Sequence, residues 1–254
     1  MVGPMSQENS NTTTHFGYRD VDVAEKTSLV RDVFDNVASS YDLMNDLMSG
    51  GIHRLWKNTL IKRLRPHPNM TLLDVGGGTG DIAFRFLNKG GEDVIICDIN
   101  EEMLKVGRDR ALDKAIIDGP RWIRGNAEQM PLEDSSVDAY VTAFCMRNVT
   151  HLDKALREAR RLLKPGGHFL CLEFSHVVLP TLSKLYDTYS FTVLPLMGQI
   201  VAKDRASYQY LAESIRRFPS QDGFAALISE AGLDQVSYQN LSGGIAAIHS
   251  AWRL

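Results

Sequence analysis

Nine residues constrain this chain more than any others: Leu72-Leu73-Asp74-Val75 followed by Gly76-Gly77-Gly78-Thr79-Gly80. A short apolar run that ends in clustered glycines reads as a parallel strand turning sharply into a helix. Glycines at such a turn also let a nucleotide-like ligand approach the backbone without meeting a Cβ. Taken alone, the loop fits an ordinary tight strand-to-helix turn equally well. Its spacing says more. Gly76 and Gly78 occupy the first two positions of the dinucleotide fingerprint, but the third falls on Asp81. The glycines instead follow GxGxG, and no Gly-Lys-Ser/Thr follows, which excludes a P-loop. This pattern favours S-adenosyl-L-methionine over NAD.

Two further signals lie downstream. Asp98 ends the next apolar run, Val94 to Cys97, eighteen residues past Gly80. A carboxylate there can accept hydrogen bonds from both hydroxyls of a ribose. Asn100 already fills the role of helix-entry residue, with Glu101 and Glu102 behind it in the first turn. After a third strand around Trp122-Ile123 comes Gly125-Asn126-Ala127-Glu128. A polar residue followed by a small one at that place suits the edge of an adenine.

The rest of the chain fits the same plan. Asp81 to Asn88 and Leu152 to Leu163 read as helices, and Val137 to Phe144 and His168 to Phe174 as strands. Lys164-Pro165-Gly166-Gly167 reads as a stop and turn between helix and strand. Ser220 to Ala231 is a helix stopped by Gly232, and Leu233 to Tyr238 with Ala246 to Trp252 closes the sheet. Strands alternating with helices predict an α/β fold with a mostly parallel sheet covered on both faces. Before the first strand, Asp22 to Ser49 and Ile52 to Leu64 show helical spacing, the latter stopped by Pro66 and Pro68.

Composition excludes several classes. The chain has 254 residues, 44% of them hydrophobic, enough for one sizeable core. A formal net charge of −3 and the lack of a Lys/Arg run argue against nucleic acid. Cys97, Cys145 and Cys171 are far apart in apolar surroundings and read as reduced core residues. No metal-ligand spacing is present, and no apolar stretch reaches the ~20 residues that span a bilayer. The first twenty residues hold neither an apolar signal core nor an Arg-rich transit pattern. These features point to a cytoplasmic protein, with the mitochondrial matrix as the alternative.

Motifs outside the glycine loop narrow the reading. They are Glu25-Lys26, Tyr41-Asp42-Leu43-Met44-Asn45-Asp46, His53-Arg54-Leu55-Trp56-Lys57, Arg147-Asn148-Val149-Thr150, Leu172-Glu173-Phe174-Ser175, Tyr186-Asp187-Thr188-Tyr189-Ser190-Phe191 and Ser207-Tyr208-Gln209-Tyr210-Leu211-Ala212-Glu213-Ser214-Ile215. With them, nearly the whole chain resembles the ubiquinone/menaquinone biosynthesis C-methyltransferases, the UbiE family. The resemblance implies a Rossmann-like class I methyltransferase fold: a seven-stranded, mostly parallel sheet with the last strand antiparallel, plus N-terminal helices. It implies a flexible polar start over residues 1–14 and a single methyltransferase domain over 15–254. Within that domain, 22–65 would be a helical cap and 177–217 a substrate-side insertion. Two positions depart from the family pattern: Ala143 stands where many bacterial members have serine, and Cys145 where glycine is usual.

The implied reaction is C-methylation of a polyprenyl benzoquinol with S-adenosyl-L-methionine as cofactor. Demethylmenaquinone or another small molecule is the alternative substrate, and a non-catalytic scaffold of a quinone-biosynthesis complex is the rival of another class. Cofactor contacts are expected from Gly76, Gly78, Thr79, Gly80, Asp98, Asn126 and Ala127. Arg147 and Asn148, after the fourth strand, are the expected catalytic pair, with Arg147 stabilising a phenolate as it develops. Tyr186 and Tyr189, in the apolar insertion, are expected to touch the substrate beneath a lid that shelters its tail. His53, His151 and His176 are candidates by type for the proton acceptor; Asp74 and Glu173 end strands near the same edge and are equally open to a structural reading as hydrogen-bonded loop anchors. Peripheral contact with an inner membrane, a quinone-biosynthesis complex and a homodimer stay open as partners.

Overall fold

The computed structural model describes residues 13–38, 41–116, 119–178, 192, 199 and 205–254, without the side chains of 41 and 42. Tyr186 and Tyr189, and most of the insertion that carries them, lie outside the described residues.

Seven strands form one sheet: β3 (Thr71–Val75), β4 (Asp93–Asp98), β5 (Pro120–Arg124), β6 (Val137–Ala143), β7 (Leu163–Phe174), β8 (Asp234–Leu241) and β9 (Ala246–Trp252). Their spatial order is β5-β4-β3-β6-β7-β9-β8. The first five pair in parallel. Only β9 is reversed, antiparallel to both β7 and β8. The expected class I topology is therefore present, with the last strand of the chain antiparallel.

Period-two alternation builds the two core layers. Leu72, Val94, Ile96, Ala139, Val141, Leu170 and Leu172 face one layer. Leu73, Ile95, Cys97, Tyr140, Phe169 and Cys171 face the other. Both faces of the central strands are apolar because both are covered. The N-terminal helices α1 (Val23–Val37), α2 (Tyr41–Ser49) and α3 (His53–Leu64), with α4 (Asp81–Leu87), α5 (Glu101–Asp113) and α7 (Arg205–Arg217), contribute to the first layer. Helices α6 (Leu152–Leu162) and α8 (Gln221–Glu230) contribute to the second.

Several elements differ from the sequence expectation. Thr13 and Thr14 do not belong to a flexible start. They open β1 (Thr13–Phe16), which pairs antiparallel with β2 (Arg19–Asp22). A four-residue strand in a polar context leaves no periodic signal, and the hairpin is held by tertiary contacts: Phe16 stacks on Tyr210 at 4.1 Å. The helical spacing from Asp22 to Ser49 is divided between α1 and α2. The Lys164-to-Gly167 turn is part of β7. Gly166 takes φ +80° and the β6–β7 register shifts between Val137 and Ala139, so the segment enters the sheet as an irregularity. Arg253 bridges it from the last strand through Gly166 and Gly167.

Candidate active site

The carboxyl ends of β3, β4, β5 and β6 meet where the strand order reverses, between β3 and β6. Ligands bind in open α/β sheets at such a crevice. A cavity of about 780 Å3, counting its open mouth, lies there. Its floor is Val75 and Gly76, one side is Asp98 to Asn100 with Met103, and another is Gly125 to Glu128. Phe144, Cys145 and Asn148 to Thr150 form the wall beyond β6. The remaining wall comes from α1, through Thr27, Val30, Arg31 and Phe34. Their spacing puts all four on one helix face.

The glycine loop is built for close approach. Gly76 has φ +65°, and a Cβ there would collide with the Cys145 side chain. Gly78 has φ +49°, and its added Cβ would meet the Met103 methyl at 2.9 Å. Gly80 plays a different part. It caps α4 in a left-handed conformation, and a Cβ there would strike Phe84 and Trp122 at 2.9 and 3.0 Å. It lines neither described cavity, so its structural role is helix–strand packing. Thr79 is buried and lines a smaller cavity behind the loop, with Lys57, Asp74 and Asp81.

Asp98 sits at the end of β4 as expected. Its Oδ2 accepts the Gly78 amide at 3.0 Å and its Oδ1 accepts the Asn100 amide at 2.9 Å. An ionised carboxylate has about four acceptor positions, so these amides leave room for a ligand hydroxyl. Burial pushes its pKa up to about 6, against the pull of the Asn100, Gly78 and Ile99 amides. Asn100 works in two directions. Its Oδ1 caps α5 through the Met103 amide at 3.0 Å, and its Nδ2 donates to Asp35 of α1 at 2.8 Å. Asn126 and Ala127 line the same cavity. Asn126 Oδ1 accepts the Glu128 amide at 3.0 Å, and Glu128 in turn accepts the amides of Thr150 and His151.

The turn after β6 carries the expected catalytic pair, and the structure separates its two members. Phe144 ends the strand with φ +59°, a conformation bulky side chains rarely adopt. That twist swings the chain into the short 3-10 turn Met146–Asn148. Asn148 lines the cavity, whereas Arg147 does not. The Arg147 side chain is fully buried behind the turn, donating to Glu173 at 2.8 Å and to the Phe144 carbonyl at 2.5 Å. Its guanidinium also lies over the Phe174 ring at 5.5 Å. Burial raises the Glu173 pKa while Arg147 opposes the shift. Glu173 and Arg147 thus anchor each other behind the turn.

None of the candidate histidines is among the residues that line the cavity. His53 is buried against Asp46 at 2.8 Å, and His176 meets the Phe218 carbonyl at 2.9 Å. His151 precedes α6 and its amide is held by Glu128. Cys97 and Cys171 are buried as expected. Cys145 is half-buried and forms part of the cavity wall, a correction to its reading as core. Among the described residues, no cluster of three His, Cys, Asp or Glu could hold a metal ion.

Two features were not resolved by sequence reasoning. The α1 wall is one, since its stripe looks like ordinary core. The other is Asp74. It is 1% exposed, and neither carboxylate oxygen has a well-formed hydrogen bond among the described residues. Burial pushes its pKa up to about 7, with Asp81 and Asp98 adding to the shift and the Ala83 amide and Lys57 opposing it. A charged residue inside an otherwise apolar strand, directly before the glycines, was the available signal.

Residues 21–253 match the ubiE/COQ5 methyltransferase family. This chain belongs to that family. It is 49% identical over 285 residues to the bovine protein named 2-methoxy-6-polyprenyl-1,4-benzoquinol methylase, mitochondrial, covering 98% of this chain and 86% of that one. It is 53% identical to the ubiquinone/menaquinone biosynthesis C-methyltransferase UbiE of Brucella anthropi, covering 98% and 100%. Among solved structures, a SAM-dependent methyltransferase from Thermotoga maritima superposes with TM-score 0.65 at 18% identity, over 89% of this chain and 100% of the other. A phosphoethanolamine N-methyltransferase from Haemonchus contortus, solved with S-adenosyl-L-methionine, gives TM-score 0.63 at 16% identity, over 88% and 60%. These distant structures share the fold. The chain is an S-adenosyl-L-methionine-dependent methyltransferase. The Gly76–Gly78 cradle, the free acceptor positions of Asp98 and the unsatisfied Asp74 carboxylate fit an adenosyl ligand with a cationic amino acid tail.

Proposed function

We propose that this enzyme methylates a ring carbon of a polyprenyl benzoquinol on the route to ubiquinone. The observation that supports this most is identity of about one half across nearly the whole chain to a relative named for that reaction. Asp98, Gly76, Gly78, Asn126 and Ala127 would hold the adenosyl half of the cofactor. Thr79 and the Asp74 carboxylate would face its amino acid half. When bound, the cofactor supplies an electrophilic sulfonium methyl group.

The chain's own work is positioning and exclusion of water. Phe34, Val30 and Phe144 give the cavity apolar walls. Asn148 presents a hydrogen-bonding amide where the quinol ring would lie, suited to a ring oxygen as it takes on phenolate character. A phenolate makes the adjacent ring carbon the stronger nucleophile. With the cofactor bound, that carbon would take the methyl group as the sulfur–methyl bond breaks, releasing a neutral thioether, and the phenol and ring protons would pass to solvent. Arg147 acts as a positioning residue, holding the Phe144 carbonyl and Glu173 behind Asn148. We assign Tyr186 and Tyr189, with the apolar segment around them, to sheltering the prenyl tail. Peripheral contact with a bilayer would deliver such a substrate; among the described residues, no helix is long and apolar enough to span one.

The test compares reduced short-chain 2-methoxy-6-prenyl-benzoquinol with a demethylnaphthoquinol of the same tail. A higher kcat/KM for the benzoquinol supports the proposal. Preference for the naphthoquinol would move the enzyme to the menaquinone branch, and turnover of neither would refute both.

A further inference from the structure

We infer that Tyr210 is a positioning residue that sets the orientation of the Asn148 amide and so decides which group the quinol meets. This rests on the reaction proposed above. Tyr210 lies on α7, far from the sheet in sequence, yet its hydroxyl donates to Asn148 Oδ1 at 3.0 Å. The amide oxygen is thereby engaged from outside the cavity. What the Asn148 side chain offers the cavity is its NH2, a donor. A donor suits a ring oxygen that is gaining negative charge, whereas an amide turned the other way would present an oxygen to it and repel it.

The surroundings hold Tyr210 in this role. Its side chain is 4% exposed, and burial raises its pKa well above the ordinary phenol range. It therefore stays protonated and keeps its proton to donate. One face of the ring is stacked by Phe16 at 4.1 Å, nearly parallel at 16°. Phe16 belongs to the N-terminal hairpin, which Glu213 of α7 also grips by accepting the Tyr18 amide at 3.0 Å. On the other side of the contact, the Asn148 backbone N–H donates to the Cys145 carbonyl at 2.9 Å and Lys26 of α1 donates to the Val149 carbonyl at 3.1 Å. The backbone at Asn148 is thus fixed independently of Tyr210. What Tyr210 adds is the side-chain amide's orientation, which no backbone contact determines.

A double-mutant cycle tests this with Tyr210→Phe, Asn148→Ala and the pair, all in the full-length protein with cofactor and reduced short-chain quinol. Phenylalanine keeps the ring and its stacking, so the melting temperature and cofactor affinity should hold. Tyr210→Phe should lower kcat about tenfold and raise the pH at which kcat reaches its plateau, because the bound phenolate loses its oriented donor. In the Asn148→Ala background the same substitution should cost almost nothing. Additive losses, or an unchanged pH profile in Tyr210→Phe, would overturn the inference while leaving the enzyme's function intact. Failure of the unmutated protein to methylate any quinol would instead remove the function on which it rests.

Discussion

Asp98, half-buried in the main cavity, and Asp74, buried beside the smaller one, differ in their predicted behaviour. Asp98 must be ionised to accept hydroxyl donors at its free positions. With its pKa near 6, affinity for S-adenosyl-L-methionine should be flat above pH 7 and fall as the pH drops through 6. Calorimetric titrations across that range check this. Asp98→Asn should bind about 10–100-fold more weakly, the scale of hydrogen bonds to a charged group. Asp74 bears on folding. Its folded-state pKa of about 7 lies above the model-peptide value of 3.8. Between those values the folded chain holds a proton that the unfolded chain has released, so stability falls as pH rises from about 4 to 7. Melts without cofactor should show the unmutated protein losing roughly 3 kcal/mol relative to Asp74→Asn between pH 5 and 8. Arg147 and Glu173 make the third case. Arg147→Met leaves a buried carboxylate uncompensated and should cost about 3–5 kcal/mol in urea unfolding, and replacing both by apolar residues should restore most of it. Asp98, Asn126 and Ala127 line the cavity because they end or closely follow strands at the carboxyl edge of the sheet, a position legible in the sequence. That Arg147 turns away from the cavity was not legible, since only the twist at Phe144 decides which residue of the tight turn faces inward.

Among the elements, α5 shows how packing carries function. Gly107 sits in mid-helix, where glycine lowers helix stability. A Cβ there would come within 2.5 Å of the Trp122 ring and 2.9 Å of the Gly78 carbonyl. The helix therefore rests directly on the cofactor loop. Gly107→Ala should destabilise by about 1–3 kcal/mol despite the better helix propensity, and should weaken cofactor binding along with it. Equal effects on melting with and without cofactor would contradict the link. The sheet strands and α6 were legible because long apolar periodicity outweighs local detail. The β1–β2 hairpin and the site role of α1 were not. The first is held by Phe16 on Tyr210, two residues nearly two hundred positions apart. The second depends on which of two apolar surfaces the α1 stripe covers, and periodicity reports only that a face is buried.

Across the whole molecule, a doubly covered sheet supplies the crevice and the N-terminal helices close one side of it. Asn100 fastens α1 to the cofactor strand through Asp35, and Lys26 fastens it to the turn beyond β6. Cofactor wall and substrate wall are therefore joined by one helix. This arrangement supports transfer to an apolar substrate shielded from water, and the central claim is transfer to ring carbon. The most direct measurement is to incubate the protein with methyl-labelled S-adenosyl-L-methionine and reduced 2-methoxy-6-prenyl-benzoquinol, then locate the label in the product by fragmentation mass spectrometry. The account predicts one labelled methyl on the ring. A label on oxygen, or none in the quinol while the cofactor binds, would contradict it.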